Sequence, residues 1–153
     1  MGISEDIKQS HFKSELSKAL INIIYTNNWL VNRQVEVFKP YGLTTPQFNV
    51  LRILRGQHPK PATVNLLIER MLDKSSNASR IVDKLESKKL VARHQCPNDR
   101  RAVDVLITEE GLKMLEDIDQ KLNDWESLLA HMTESECEEL NNLLDKLRDL
   151  PET

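Results

Sequence analysis

The sequence predicts a mainly α-helical fold that carries one small β-hairpin. Three observations lead there. The 153 residues include only four glycines and six prolines, too few for a sandwich or barrel with a turn about every 8–12 residues. Over most of the chain apolar residues recur at three and four positions, the helical spacing. Only the stretch 90–107 changes to a period of two. With 39% hydrophobic and 29% charged residues, the chain has apolar material for one core, at the length of one domain with appended helices.

Residues 5–38 contain neither Gly nor Pro. Phe12, Leu16, Leu20, Ile23, Ile24, Leu30, Val31, Val35 and Phe38 form an apolar stripe that predicts one long helix, about 50 Å in length, ended by Pro40 and Gly42. Such a helix overhangs a small core, and its stripe needs another partner. Thr44 with Gln47 fits a capping box, and Pro46 suits a first helical turn. That helix turns Phe48, Leu51 and Leu54 inward and stops at Gly56. Pro59-Lys60-Pro61 reads as a linker, and Thr63 caps a short helix bearing Leu66, Leu67 and Met71.

Asp73 is the expected cap of a helix over 74–88. Its buried stripe is Ala78, Ile81, Val82 and Leu85. The other faces carry Ser75, Ser76, Asn77, Ser79, Arg80, Lys84, Ser87 and Lys88, small or cationic groups that stay wet or meet something polar. Leu90–Arg93 and Val103–Ile107 read as two strands. Pro97-Asn98-Asp99-Arg100-Arg101 between them has turn chemistry and a cationic tip. Thr108 caps a helix to about 131, on which Leu115, Ile118, Leu122, Trp125, Leu129 and Met132 follow the 3.5-residue spacing of a coiled-coil seam. Thr133 and Glu136 form another capping box, opening a last helix with Cys137, Leu140, Leu144 and Leu147.

The net charge of −3 is unevenly distributed. Residues 41–104 hold 12 of the 21 Lys and Arg but 6 of the 24 Asp and Glu, so a basic centre is flanked by acidic ends. Histidines 11, 58, 94 and 131 are dispersed, with no metal-ligand spacing. Glycines 2, 42, 56 and 111 form no phosphate loop, and no nucleophile elbow occurs. An enzyme is therefore not expected, nor a metal or other cofactor. Cys96 and Cys137 are expected to be free thiols. No apolar run is long enough for a membrane span and the first residues lack a signal-peptide pattern, so a cytoplasmic protein is expected.

Three short helices followed by a hairpin is the element order of a winged helix-turn-helix. A recognition helix needs a small, hydrogen-bonding face beside a buried stripe, and a wing needs cations for phosphates or the minor groove. The chain also resembles the MarR-type transcriptional regulators. The resemblance covers most of its length and rests on Leu43-Thr44-Thr45-Pro46-Gln47-Phe48, on Lys74-Ser75 through Arg80-Ile81-Val82-Asp83-Lys84-Leu85-Glu86, and on Asp99-Arg100-Arg101 followed by Leu106-Ile107-Thr108 and Gly111.

The resemblance implies a homodimer on duplex DNA, with an N-terminal dimerisation helix over 5–38, a DNA-binding domain over 43–107 and C-terminal dimerisation helices over 109–149. DNA contacts are expected from Ser75, Ser76, Asn77, Ser79, Arg80, Lys84, Arg100 and Arg101, with Asp99 orienting Arg101. Lys88 and Arg93 are further candidates for phosphate contact. A small aromatic effector is expected where each lobe meets the dimer helices, with Tyr25 and Trp29 as candidate lining. Lys89 stands where the family usually has Gly, in a position that implies a left-handed backbone. The peroxide-sensing branch uses a cysteine near the N-terminus, and residues 1–95 contain none, so its thiol switch is not expected; direct oxidation of Cys96 at the wing is the weaker alternative. The competing reading is a winged-helix interaction module that does not bind DNA.

Overall fold

The structure is a computed structural model that describes residues 2–95 and 102–151. The chain divides into two compact units, Met1–Ile118 and Asp119–Thr153. The elements are α1 (Ile3–Asp6), α2 (Glu15–Phe38), a 3-10 turn (Lys39–Tyr41), α3 (Thr45–Gln57), β1 (Ala62–Thr63), α4 (Val64–Arg70), α5 (Ala78–Ser87), β2 (Val91–Gln95), β3 (Val103–Ile107), α6 (Glu109–Glu126), a second 3-10 turn (Ser127–Leu129) and α7 (Glu134–Arg148).

The single helix expected over 5–38 is interrupted. Ser14 has extended backbone and accepts from the Ser17 N–H at 3.1 Å, capping α2. Lys8 adopts a left-handed φ of 54°. Neither device uses Gly or Pro, so the usual breakers do not mark it. The 24 residues of α2 span about 36 Å. Its last residue, Phe38, is fully buried and stacks on Phe48 of α3, with centroids 4.2 Å apart. Gly42, at φ 64°, turns the chain between them.

The capping box at α3 is present in both directions: Thr44 Oγ1 accepts from the Gln47 N–H, and Gln47 Oε1 accepts from the Thr44 N–H. Val50, Leu51 and Leu54 then enter the core with Leu67, Val82, Leu85 and Val105. A fully buried Leu or Val contributes about 1.5–3 kcal/mol.

The described sheet has three strands, in the order β1-β3-β2, all antiparallel. Ala62 pairs with Val105 and Thr63 with Asp104, so the expected hairpin gains a strand from the two residues that follow the Pro59-Lys60-Pro61 linker. Two residues are too few to display a strand period. Thr63 also caps α4, accepting from the Leu66 N–H at 3.1 Å.

Thr108 locks the end of the sheet to α6. Its N–H donates to Leu90 O, its hydroxyl donates to Lys89 O, and that hydroxyl accepts from the Gly111 N–H. A Cβ at residue 111 would lie 2.5 Å from Leu90 O and 2.7 Å from Ile107 Cγ1, so this joint requires glycine.

The long seam expected on α6 is used in two ways. Leu115 and Ile118 are fully buried, whereas Trp125 is half-buried and Leu129 exposed. The helix gives way to the 3-10 turn after Glu126 rather than reaching 131. In the second unit, Thr133 and Glu136 form the expected capping box of α7. Hydrogen bonds from Thr133 hold the Glu136 carboxyl below its ordinary pKa. None of the described helices is long and apolar enough to cross a membrane.

Candidate nucleic-acid interface

Helices α3, α4 and α5 pack on one another, with α4 and α5 joined by the turn 71–77. The helix expected from residue 74 begins later. Asn77 is the N-cap of α5, its side chain accepting from the Arg80 N–H at 3.1 Å. Asp73 caps nothing helical. Its Oδ1 accepts from the Ser75 N–H at 3.0 Å and from the Ser75 hydroxyl at 2.6 Å, fixing the turn before α5. These Ser75 bonds, with one from the Ser76 hydroxyl, hold the Asp73 carboxyl below its usual pKa. Ser75, Ser76 and Asn77 therefore lie ahead of the helix, and each has a side-chain group engaged locally.

On α5, Ala78, Val82 and Leu85 are buried and Ile81 is half-buried, which reproduces the predicted inward stripe. Ser79, Arg80, Asp83, Lys84 and Ser87 are exposed on the remaining surface. The Ser87 hydroxyl donates to Lys84 O. Arg80 and Lys84, one turn apart, have no side-chain hydrogen-bond or ion-pair partner among the described residues.

Other cations of the basic centre are committed inside the lobe. Lys74 Nζ donates to the carbonyls of Ile68 and Glu69 at the end of α4. Lys88 Nζ donates to Gly42 O and to Gln47 Oε1, tying the end of α5 to the start of α3. The Arg93 guanidinium pairs with Asp83 and lies 3.4 Å from Glu86. Lys88 and Arg93, read as candidates for phosphate contact, thus have structural partners, which sequence spacing did not reveal. Charge counts cannot separate such tethers from a free cationic face; only the fold does.

Lys89 takes the left-handed φ, 62°, that its position implied. Its N–H donates to Glu86 O, and the Leu90 N–H donates to Leu85 O. Those two bonds make a Schellman termination of α5, with Leu90 buried beside it. The wing strands β2 and β3 follow, in register from Val91↔Ile107 to Gln95↔Val103. Arg100, Arg101, Asp99 and Cys96 lie outside the described residues. Cys137 is a free thiol, half-buried.

A cavity of about 720 Å³ opens between α2 and the start of α3. On α2 it is lined by Asn27, Leu30, Val31, Gln34 and Val35; the facing wall includes Leu43, Thr44, Thr45, Pro46 and Asn49, with Leu72 and Asp73. Tyr25 and Trp29, expected in such a cleft, are not among these. At 100° per residue they point from the opposite side of α2, where the Arg33 guanidinium lies 4.4 Å from the Trp29 ring centroid.

A short helix, a turn and a second helix with an exposed cationic face, followed by paired strands, define a winged helix-turn-helix DNA-binding lobe. The chain belongs to the MarR family of DNA-binding transcriptional regulators. The family matches over residues 41–102. The regulator MhqR of Bacillus subtilis is 30% identical over 108 residues, which are 70% of this chain and 73% of MhqR. The crystal structure of a MarR transcription factor from Planctomyces limnophilus superposes with a TM-score of 0.67 at 29% identity, covering 88% of this chain and 98% of that one. The fold also matches BpsR of Bordetella bronchiseptica, whose DNA binding is regulated by 6-hydroxynicotinic acid, with a TM-score of 0.71 at 23% identity over 92% of this chain and 99% of that one.

Proposed function

We propose that the chain is a homodimeric, ligand-responsive repressor that reads a pseudo-palindromic operator. The observation that carries this reading is the pair Arg80 and Lys84, whose charged groups are exposed on α5 without a partner among the described residues, while neighbouring cations are tied into the lobe. One α5 in each lobe enters the major groove, with half-sites about 10 bp apart. Ser79 and Arg80 reach base edges, and Ser75, Ser76, Asn77 and Lys84 lie beside them. The wing tip, Arg100 and Arg101 oriented by Asp99, reaches the flanking minor groove, where groove width and charge are read.

The dimer is built from residues 5–38 and 109–149 around the lobe 43–107. Uncovered apolar side chains support this: Leu16 is 80% exposed, Leu20 55% and Leu143 57%. Rows of that kind mark an interface. The effector sits in the cavity between α2 and α3. A ligand there lowers DNA affinity by preferring a lobe position unsuited to the operator.

The test is selection of duplexes from a random pool, followed by anisotropy titration at two salt concentrations. A repeated inverted motif, bound in a salt-dependent way with one dimer per duplex, is the expected result. Failure to retain any duplex overturns the reading.

A further inference from the structure

The effector cavity has an uneven chemistry. Among the described residues lining it there is no Lys, Arg or His, and the one ionisable group is the carboxylate of Asp73. The remaining polar lining is neutral amide and hydroxyl: Asn27, Gln34, Thr44, Thr45 and Asn49. Leu30, Val31, Val35, Leu43, Pro46 and Leu72 supply apolar walls. The neighbouring cations are committed elsewhere: Lys74 to Ile68 O and Glu69 O, Lys88 to Gly42 O and Gln47 Oε1, and Arg33 to the far face of α2 over Trp29.

An anionic ligand entering this space gives up hydration on the apolar walls, faces the exposed Asp73 carboxylate and meets no cation among the described lining residues. A ligand with a protonated amine donates a charge-assisted hydrogen bond to the same carboxylate. The volume suits a drug-sized aromatic molecule. We propose that the cavity binds an aromatic organic cation, anchored through its ammonium group at Asp73, and rejects aromatic carboxylates. This rests on the reading of the cavity as the effector site and adds the class of effector. It also separates this chain from BpsR, whose regulator is a carboxylic acid.

Asp73 connects the ligand to DNA reading. Its Oδ1 holds both the N–H and the hydroxyl of Ser75, four residues before Ser79 and in the turn that delivers Asn77 to its capping position. An ammonium group on Asp73 competes with the Ser75 donors and loosens that turn. The chain just before Asp73 stays tied to α3, because Asn49 Oδ1 accepts from the Leu72 N–H at 2.9 Å. The ligand thus acts on the entry to α5 rather than on the helix pack.

The experiment is calorimetric titration of the full chain at pH 7 with three molecules of one shape: 2-naphthylmethylamine, 2-naphthylmethanol and 2-naphthoate. DNA anisotropy is measured alongside. The amine is expected to bind roughly tenfold or more tightly than the alcohol, with no binding of naphthoate, and to weaken DNA binding. Asp73→Asn keeps an acceptor for Ser75 and loses the charge, so the amine and the alcohol should bind it equally, with the circular dichroism unchanged. Naphthoate binding as tightly as the amine, an amine preference that survives Asp73→Asn, or no binding by any of the three overturns the proposal. Parent protein that holds DNA while binding none of the three defeats the ligand assignment and leaves the DNA-binding reading intact. Protein that binds the amine at Asp73 but no duplex defeats the operator reading alone.

Discussion

Arg93 of β2 pairs with Asp83 of α5, so a strand of the wing grips the recognition helix. The same residue reaches Glu86 twice, through its guanidinium at 3.4 Å and through its backbone N–H at 3.2 Å. The hydrogen bond to Asp83 raises the pKa of the already strongly basic guanidinium, and it remains charged at every working pH. Asp83 and Glu86 are the two acidic residues of α5. Arg93 therefore offsets part of the negative charge on this helix.

Arg93→Ala is expected to weaken DNA binding although Arg93 is directed at α5. As a partly exposed pair it contributes about 1 kcal/mol or less to stability, so unfolding should change little. Adding Asp83→Asn to Arg93→Ala should recover much of the affinity, measured by anisotropy at low salt. No recovery in the double variant would assign Arg93 a direct phosphate contact instead.

Lys89→Gly should stabilise the protein by about 1 kcal/mol, because a left-handed lysine is strained where glycine is not. Glycine's added freedom in the unfolded chain offsets part of the gain. Urea unfolding at one fixed protein concentration reads the difference. A destabilised Lys89→Gly would show that the Schellman turn at 85–90 is not the native termination of α5.

The uncovered stripe of α2 predicts the effect of Leu20→Asp. This side chain is already more than half exposed within the single chain, so the change should leave the lobe folded and remove the dimer. Light scattering at micromolar concentration should give the dimer mass for the parent and the monomer mass for the variant. A stable monomeric parent contradicts the dimer assignment.

Arg101→Ala tests the wing. With one cation fewer on the phosphates, selected and random duplex should weaken together. The salt slope should fall by about 0.9 for each phosphate no longer neutralised. Unchanged binding to both duplexes would remove the wing tip from the interface.

Much of this architecture was legible in the sequence, because its signals are local and chemically specific. The Thr44/Gln47 and Thr133/Glu136 boxes, the stripe Ala78-Val82-Leu85 and the period of two over 103–107 all appear as read. So does the strain at Lys89, foreseen because the resemblance put glycine there. The failures have physical causes. The gap at 7–14 uses Ser14 and a left-handed Lys8, without a breaker residue. β1 is too short to show a pattern. Asp73 and Asn77 are both good caps, and sequence alone favoured the earlier one. The aromatics Tyr25 and Trp29 remain an open reading of the ligand cleft, while the described cavity takes the face of α2 that carries Leu30 and Val31. The division of the cations into tethers and a free face depends on long-range partners such as Gly42 for Lys88, 46 residues apart.

We propose that α5 reads bases through Arg80. The direct measurement is the ratio of selected-duplex to random-duplex affinity, for the parent and for Arg80→Ala, by anisotropy at one salt concentration. A bidentate base contact predicts a loss of about 1–3 kcal/mol on the selected duplex beyond the loss on random duplex, with the dimer mass unchanged. A ratio equal to that of the parent contradicts the claim and leaves Arg80 as a general cation.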